Sequence, residues 1–211
     1  MELVKEFAGQ CMQKGIRFYV MYGAAEATAR MSYLLPSQAL EKPASIGGPI
    51  LGGRFWIQDE MGNSILQSNV VGELFYSGPN VFMGYAQSRL DLTLGDVHGH
   101  ILQTGDMAMR DDDGFYYIVG RKSRFIKLFG NRVSLDEIEQ LIRQSGIDCA
   151  CAGNDEKLVI YITVAGQQKE VVNVAQRLTQ LHSSAFRAVV IENIPRNEAG
   201  KILYAELPGE L

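Results

Sequence analysis

Short apolar runs alternate with turn-forming residues between positions 45 and 85, and this pattern restricts the fold more than any other feature of the chain. Three of the turns contain adjacent glycine, proline or asparagine residues, at 52–53, 62–63 and 78–79. Strands this short, separated by such turns, favour an antiparallel sheet or a small barrel. Further on, Asp111-Asp112-Asp113-Gly114 lies between two apolar runs and predicts a hairpin.

Other segments have the spacing of helices and buried strands. Apolar residues at helical intervals predict a helix over residues 2–14, and the continuous apolar run Ile16–Tyr22 predicts a buried strand. Ser134 is typical of an N-cap, because acidic residues follow it in the first turn of a predicted helix. The remaining pattern predicts strands at 159–164 and 188–191 and an amphipathic helix at 171–181.

These elements predict a mixed α+β protein with two parts. Five basic residues and no acidic residue occur within Arg121–Arg132, where the charge balance of the chain changes. We therefore expect an antiparallel, β-rich segment over residues 1–121 and a small α+β unit over residues 122–211.

Charge and apolar run lengths exclude several functional classes. A net charge of -4 and a pI of about 5.4 argue against sequence-independent nucleic-acid binding. The longest apolar stretches have the length of a strand, far short of the roughly 20 residues of a membrane span. Charges at Glu2, Lys5 and Glu6 are unlike a signal peptide, and the three cysteines form no CxxC pair. The sequence thus predicts a cytoplasmic protein with reduced thiols, no membrane span and no nucleic-acid partner.

Two acidic positions are candidates for ligand binding. In Tyr22–Glu26, glycine lets a ligand approach the backbone, an aromatic ring can cover a planar group, and Glu26 can hold Mg²⁺ together with phosphate oxygens. An ordinary strand-to-helix turn with a solvated glutamate has the same pattern. Asp106, in Thr104-Gly105-Asp106, can accept both hydroxyls of a ribose, although a β-turn aspartate also explains it.

Two basic segments are further candidates. Arg121–Arg132 suits phosphate or ribose contacts, and a solvated basic face would have the same composition. Pro195–Lys201 predicts a tight loop with one ammonium at its tip, which can neutralise charge developing on an oxyanion or phosphate, or is a surface turn. His98 and His100 lack further ligands at zinc spacing and favour a surface loop.

In their order along the chain, these motifs resemble the C-terminal part of the adenylate-forming superfamily, which includes acyl-CoA synthetases, aryl-CoA ligases and the adenylation domains of peptide synthetases. The resemblance covers nearly the whole chain. It rests on five segments: Tyr22–Glu26 (YGxTE), Gly72–Tyr85 (GEL…G…GY), Thr104–Asp106 (TGD), Gly120–Glu139 (GRxxxxIKxxGxRVxxxEIE) and Pro195–Lys201 (PxNxxGK).

The resemblance implies a two-step reaction in which a carboxylic acid attacks ATP to form an acyl-adenylate, and a thiol of CoA or of a carrier protein's phosphopantetheine then takes the acyl group. It also implies that residues 1–121 are the end of the large AMP-binding domain and that residues 122–211 are the small mobile domain. Site roles implied in the same way are catalysis for Lys201 and Glu26, Mg²⁺ binding for Glu26, nucleotide binding for Tyr22, Gly23, Ala25, Asp106, Arg121 and Arg132, thiol contacts for Phe129 and Gly130, and the hinge for Ser123.

The chain departs from the family pattern in three ways. Ala25 replaces the threonine of YGxTE, which removes a hydroxyl expected near the phosphate, and Ser123 replaces the usual aspartate or lysine of the hinge. The family's phosphate loop should lie upstream of Tyr22, so we expect a fragment or one chain of a split enzyme, inactive without a missing N-terminal domain or partner chain. The alternatives are a non-catalytic nucleotide- or partner-binding module on a decayed ligase scaffold, and nucleic-acid binding through Arg121–Arg132.

Overall fold

The computed structural model describes residues 2–209, and it is a mixed α+β fold, as the sequence predicts. The three α-helices of that range are α1 (Glu2–Gln13), α2 (Leu135–Gln144) and α3 (Gln168–Thr179). The strands are β1 (Val20–Tyr22), β2 (Ser32–Leu34), β3 (Gly48–Pro49), β4 (Arg54–Gln58), β5 (Gly72–Ser77), β6 (Ile101–Arg110), β7 (Tyr116–Arg121), β8 (Phe125–Leu128), β9 (Asn131–Ser134), β10 (Cys149–Gly153), β11 (Leu158–Ile162) and β12 (Phe186–Val190). The chain divides into two compact units between Lys122 and Ser123.

The first unit, up to Lys122, is built on antiparallel strands. Strands β4 to β7 form one four-stranded sheet in sequence order, and β1 to β3 form a second sheet. The acidic turn at 111–114 closes the β6–β7 hairpin, in which Arg110 pairs with Tyr116, so the predicted hairpin and antiparallel sheet are confirmed. Aromatic rings fill the core beneath the large sheet, where Phe55 lies 5.3 Å from Tyr76 and 5.2 Å from Tyr116 between ring centroids.

The predicted buried strand Ile16–Tyr22 is wrong in its extent and its burial. Only Val20–Tyr22 is a strand, and the side chains of Ile16 and Met21 are exposed. The reason is that β1 is an edge strand whose one partner, β2, is itself three residues long. Backbone pairing therefore ends where β2 ends, although the apolar run continues.

The second unit, from Ser123, places α2 and α3 against a three-stranded sheet and adds the β8–β9 hairpin. In the sheet, β11 lies in the centre, antiparallel to β10 and parallel to β12, and all five of its residues are buried. Ser134 caps α2 as predicted, because its side chain accepts a hydrogen bond from the Glu137 backbone N–H at 3.2 Å. Cys149 and Cys151 are unpaired thiols buried in this core, which confirms their prediction as small apolar residues.

Within residues 2–209, helices are too short or too polar to cross a lipid bilayer.

Candidate functional site

The segment Tyr22–Glu26 leaves β1 and enters a short 3₁₀ turn, Ala25–Ala27. Gly23 is required here, because a Cβ atom at this position would lie 2.2 Å from the carbonyl oxygen of Ala29. The amide of Asn80 donates to the carbonyl oxygens of Ala27 at 2.8 Å and Arg30 at 3.1 Å, which ties the turn to the loop after β5. Tertiary hydrogen bonds therefore hold the turn in addition to its own local backbone bonds.

Asp106 lies on β6, directly opposite Arg121 of β7. The hydroxyl of Tyr22 donates to Asp106 Oδ2 at 2.5 Å, and Arg121 Nε lies 2.8 Å from Oδ1. Arg121 also donates to the carbonyl oxygen of Thr104 at 3.2 Å. A carboxylate offers about four acceptor positions, so these two contacts leave roughly half of the acceptor capacity of Asp106 for a ligand.

Next to Asp106 lies a cavity of about 600 Å³, within the usual range for a small-molecule site. It brings together five residues that the sequence predicts as site residues: Tyr22, Gly23, Glu26, Asp106 and Arg121. Its other lining residues are Ala24, Phe75, Phe82, Tyr85, Val97, His98, Ile101, Leu102, Gln103 and Thr104. Ala25, predicted with the first group, is exposed and lies outside this lining.

Hydrogen bonding and burial shift the pKa values of three residues in the cavity wall, and the bond to Glu26 raises the pKa of the Tyr85 hydroxyl. Burial, reinforced by the bond to Asp106, raises the pKa of the Tyr22 hydroxyl, which therefore remains a donor at neutral pH. The hydroxyl of Tyr85 donates to Glu26 Oε1 and lowers the pKa of that carboxyl. Glu26 is thus ionised at neutral pH and carries the charge that a metal ligand needs.

The residues present fit a magnesium ion bound partly by phosphate. Mg²⁺ is commonly held by one or two carboxylates together with phosphate oxygens and water, and Glu26 offers one such carboxylate in the cavity wall. Between residues 2 and 209, no three histidine, cysteine, aspartate or glutamate side chains are grouped to form a protein-only metal site.

Sequence reasoning missed the aromatic part of the cavity. The ring of His98 stacks on Phe82 with 4.9 Å between centroids, and Tyr85 meets Phe82 edge to face at 4.8 Å. His98 lies in an exposed loop as predicted, yet its ring lines the cavity. Asp96 holds the loop by accepting backbone N–H groups of residues 98–100. The GY motif includes Tyr85, and this was the one sequence signal for this wall.

Lys201 lies in the second unit, near the tip of a closed loop. The backbone N–H of Asn197 donates to the Lys201 carbonyl at 2.9 Å, and the Lys201 N–H donates to Asn197 Oδ1 at 2.9 Å. Arg196 joins the loop to Asp148 through two contacts of its Nη2, at 2.7 and 3.0 Å. The predicted tight loop is present and Lys201 is exposed, but Lys201 pairs with Asn197 across the loop and its tip is formed by residues 198–200.

The remaining predicted residues also lie in the second unit. Phe129 and Gly130 form the two-residue turn of the β8–β9 hairpin, both with positive φ (49° and 80°), as a type I′ turn requires. Phe129 is 60% exposed despite its size. The guanidinium of Arg132 lies 4.6 Å from the centroid of the Phe125 ring, and Ser123 is exposed in the 3₁₀ turn Lys122–Arg124.

Comparison with known proteins agrees with the motifs. Residues 1–86 match the family described as AMP-binding enzyme. The sequence is 28% identical over 206 residues to a 2-succinylbenzoate–CoA ligase of Bacillus cytotoxicus and 27% identical over 208 residues to that of a Geobacillus species. In both comparisons the alignment covers 93% of this chain and 42% of the relative, so the chain spans well under half the length of these curated relatives.

Solved structures share the fold. An O-succinylbenzoate coenzyme A synthetase from Bacillus subtilis, in complex with AMP, superposes with a TM-score of 0.71 at 22% identity, over 95% of this chain and 43% of that one. The same enzyme has been solved with ATP and a magnesium ion, also with a TM-score of 0.71. An anthranilate CoA ligase in complex with anthranoyl-AMP gives a TM-score of 0.68 at 19% identity, over 97% of this chain and 42% of that one.

The predicted resemblance to the adenylate-forming superfamily is therefore confirmed, and the match is to the C-terminal portion of these enzymes. The predicted fold class is confirmed in the same way.

Proposed function

We propose that this chain is the C-terminal part of an ATP-dependent carboxylate-activating ligase, which forms an acyl-adenylate and then transfers the acyl group to a thiol. The observation that carries the proposal is the single cavity in which Tyr22, Glu26, Asp106 and Arg121 meet, although they lie up to 99 positions apart in the sequence. Those four residue types supply an aromatic surface, a metal-capable acid, a diol acceptor and a cation. That combination suits a nucleotide bound together with Mg²⁺.

Asp106 is proposed to bind the ribose. Its two free acceptor positions suit the two ribose hydroxyls, while Tyr22 and Arg121 hold the carboxylate in place. The Tyr22 ring lines the same cavity and is proposed to stack on adenine. Gly23 keeps the backbone clear of the ligand, and Ala25 and Arg132 are proposed as weaker nucleotide contacts.

Glu26 is proposed to help hold Mg²⁺, which when bound would offset the charge of the ATP phosphates. In the first chemical step, a carboxylate oxygen of the substrate forms a bond to the α-phosphorus, and the bond to pyrophosphate breaks with the electron pair leaving on pyrophosphate. Lys201 is proposed to bridge the carboxylate and the α-phosphate and to stabilise the charge that develops there. An exposed ammonium in a closed loop suits this role.

In the second step, a thiolate attacks the acyl carbon, a thioester forms and AMP leaves. Phe129 and Gly130 are proposed to contact the pantetheine arm of CoA or of a carrier protein, and Ser123 to be the hinge. We assign the first unit to the end of the large AMP-binding domain and the second to the small domain. The rest of the ligase, as preceding sequence or as a partner chain, would supply most of the pocket for the acid.

Calorimetric titration of this chain with AMP and with Mg-ATP tests the nucleotide site. We expect Asp106→Ala to weaken binding by about 10- to 100-fold, because hydrogen bonds to a charged group contribute about 1.5–3 kcal/mol each. Asp113→Ala, which removes an exposed carboxylate of the same unit, is the matched control and should leave affinity within twofold. Equal affinity of the wild type and Asp106→Ala would contradict the ribose assignment.

A wild-type chain that binds neither ligand would mean that the site forms only with the missing ligase segment. Pyrophosphate exchange by the assembled enzyme then tests the proposed ligase activity. Full exchange after Lys201→Ala would overturn the catalytic role of Lys201.

A non-catalytic nucleotide- or partner-binding module is the second candidate, and Ala25 favours it. This residue presents a methyl group outside the cavity lining where the family carries a hydroxyl. Binding of AMP that depends on Asp106, with no pyrophosphate exchange in the presence of any added ligase domain, would support the module.

A further inference from the structure

The carboxylate of Glu139 on α2 is almost fully buried and accepts four hydrogen bonds. Oε1 accepts from Arg124 Nη2 at 2.5 Å and from the Cys151 backbone N–H at 2.7 Å. Oε2 accepts from Arg143 Nη2 at 2.7 Å and from the hydroxyl of Tyr204 at 3.0 Å. These four donors fill the acceptor capacity of a carboxylate, so the group has no position left for a ligand.

The guanidinium of Arg124 has further partners besides Glu139. Its Nε bonds to Asp136 Oδ1 at 2.7 Å, its Nη1 donates to the Cys151 carbonyl at 2.8 Å, and its guanidinium lies 3.7 Å from the centroid of the Tyr204 ring. Tyr204 therefore holds this pair of charges in two ways, with its hydroxyl on Glu139 and its ring on Arg124.

The network joins segments that are far apart in the sequence. Arg124 follows Ser123 directly, at the start of the second unit. Tyr204 follows the base of the Lys201 loop, where the Leu203 N–H donates to the Pro195 carbonyl at 2.9 Å. One buried carboxylate thus fixes the position of the Lys201 loop relative to the start of the unit.

We propose that Glu139 is a positioning residue for Lys201, acting through the Tyr204 hydroxyl. A buried ion pair is often no more stabilising than apolar residues of the same volume, so stability alone does not explain this arrangement. Directed hydrogen bonds to two separate chain segments do fix the position of one segment relative to the other. Here the two segments are those that carry the proposed hinge and the proposed catalytic lysine. The inference rests on the proposed role of Lys201.

Amide hydrogen exchange of this chain, resolved by residue with NMR, tests the inference without any need for activity. Tyr204→Phe removes only the hydroxyl and keeps the ring over Arg124. We expect exchange at the hydrogen-bonded amides of Asn197, Gly200 and Lys201 to accelerate about tenfold or more, and exchange at the amides of β11 to accelerate severalfold less. Tyr117→Phe is the matched control, because its hydroxyl also donates to a carboxylate, that of Asp111, but in the first unit.

Unchanged exchange at residues 197–201 in Tyr204→Phe would overturn the inference. Equal acceleration throughout the second unit would also overturn it, since that pattern marks a residue that only stabilises the unit. Glu139→Gln provides a second variant of nearly the same shape and should accelerate the same three amides. Full pyrophosphate exchange after Lys201→Ala would overturn the catalytic role of Lys201 but would not alter the amide hydrogen exchange of Tyr204→Phe. Failure of the proposed function and failure of this inference are therefore distinguishable.

Discussion

Asp106 in the first unit and Glu139 in the second are built from the same parts. Each is a buried carboxylate that meets one tyrosine hydroxyl and at least one arginine. In each case one of the arginines, Arg121 or Arg124, lies within two positions of Lys122, where the first unit ends. They differ in how many acceptor positions are occupied. Two side-chain donors reach Asp106, which lines a cavity, whereas four donors reach Glu139, which lies in a closed core.

The difference separates a site that can receive a ligand from one that fixes a geometry. A carboxylate held by two donors keeps its charge and orientation and can still accept hydroxyl groups from a ligand. A carboxylate with four donors can exchange none of them without leaving a buried charge unpaired, which is costly. Substitutions should therefore affect ligand binding at Asp106 and stability at Glu139.

Removing the two carboxylates gives the largest expected contrast. Glu139→Ala leaves Arg124 buried without its closest partner, and we expect the free energy of unfolding of the second unit to fall by about 3–5 kcal/mol. Asp106→Ala should cost only about 1–3 kcal/mol, because the groups it leaves adjoin the cavity, where water can reach them. Urea titration followed by far-UV circular dichroism measures both, and Trp56, the only tryptophan, reports on the first unit. A smaller loss for Glu139→Ala than for Asp106→Ala would reverse the comparison.

Alkaline pH provides the next contrast. Burial and the neighbouring Glu139 raise the pKa of Tyr204 from its ordinary 10.0 to about 12. Between these values the unfolded chain loses the tyrosine proton and the folded chain keeps it. The stability that the protonated Tyr204 hydroxyl contributes is therefore fully present below pH 10 and is lost as the pH rises through 12. We expect unfolding titrations to show a loss of roughly 1–2 kcal/mol across this window that is absent from Tyr204→Phe; partial exposure of the tyrosine keeps the loss below the value for a fully buried group. Parallel curves for the two proteins would mean that the hydroxyl is not buried against Glu139.

Much of this architecture could be predicted from the sequence because it depends on local signals. The acidic turn of the β6–β7 hairpin, the Ser134 cap of α2 and the buried cysteines of β10 each follow from a few adjacent residues, and the structure confirms them. The Ile16–Tyr22 strand failed because its extent depends on the length of a partner strand, which an apolar run does not encode.

The candidate site shows the same limit. Motif order singled out Tyr22, Glu26, Asp106 and Arg121, which line one cavity, and their roles stay predictions. Sequence reasoning missed the Phe82–His98 stack and the Glu139 network, because both depend on contacts between segments with no spacing in common. For Glu139, the signal available was an acid on the apolar side of α2, close to Ile138 and Ile142.

Removing one hydroxyl from each site makes the comparison finer. Tyr22→Phe and Tyr204→Phe each delete a single donor to a carboxylate. We expect Tyr204→Phe to be the more destabilising by about 1 kcal/mol, because water cannot replace the donor to Glu139 in a closed core. Tyr22→Phe should instead weaken AMP binding severalfold, since Asp106 loses orientation. Thermal unfolding and calorimetry measure the two effects, and equal stability losses would show that water reaches both carboxylates.

Glu26 extends the series to a carboxylate with a single side-chain donor, the Tyr85 hydroxyl, and an exposed setting. Tyr85→Phe should raise the pKa of Glu26 towards its ordinary 4.5, because that hydroxyl is the largest cause of its lowered pKa. The free energy of unfolding should change by less than about 0.5 kcal/mol, as for most surface substitutions. Carboxyl-carbon NMR titration of Glu26 measures the pKa, with Tyr117→Phe as the control. An unmoved pKa would mean that Tyr85 does not hold Glu26 in solution. Glu26 would then be oriented by a bound ligand alone, whereas Asp106 is oriented in advance by Tyr22 and Arg121.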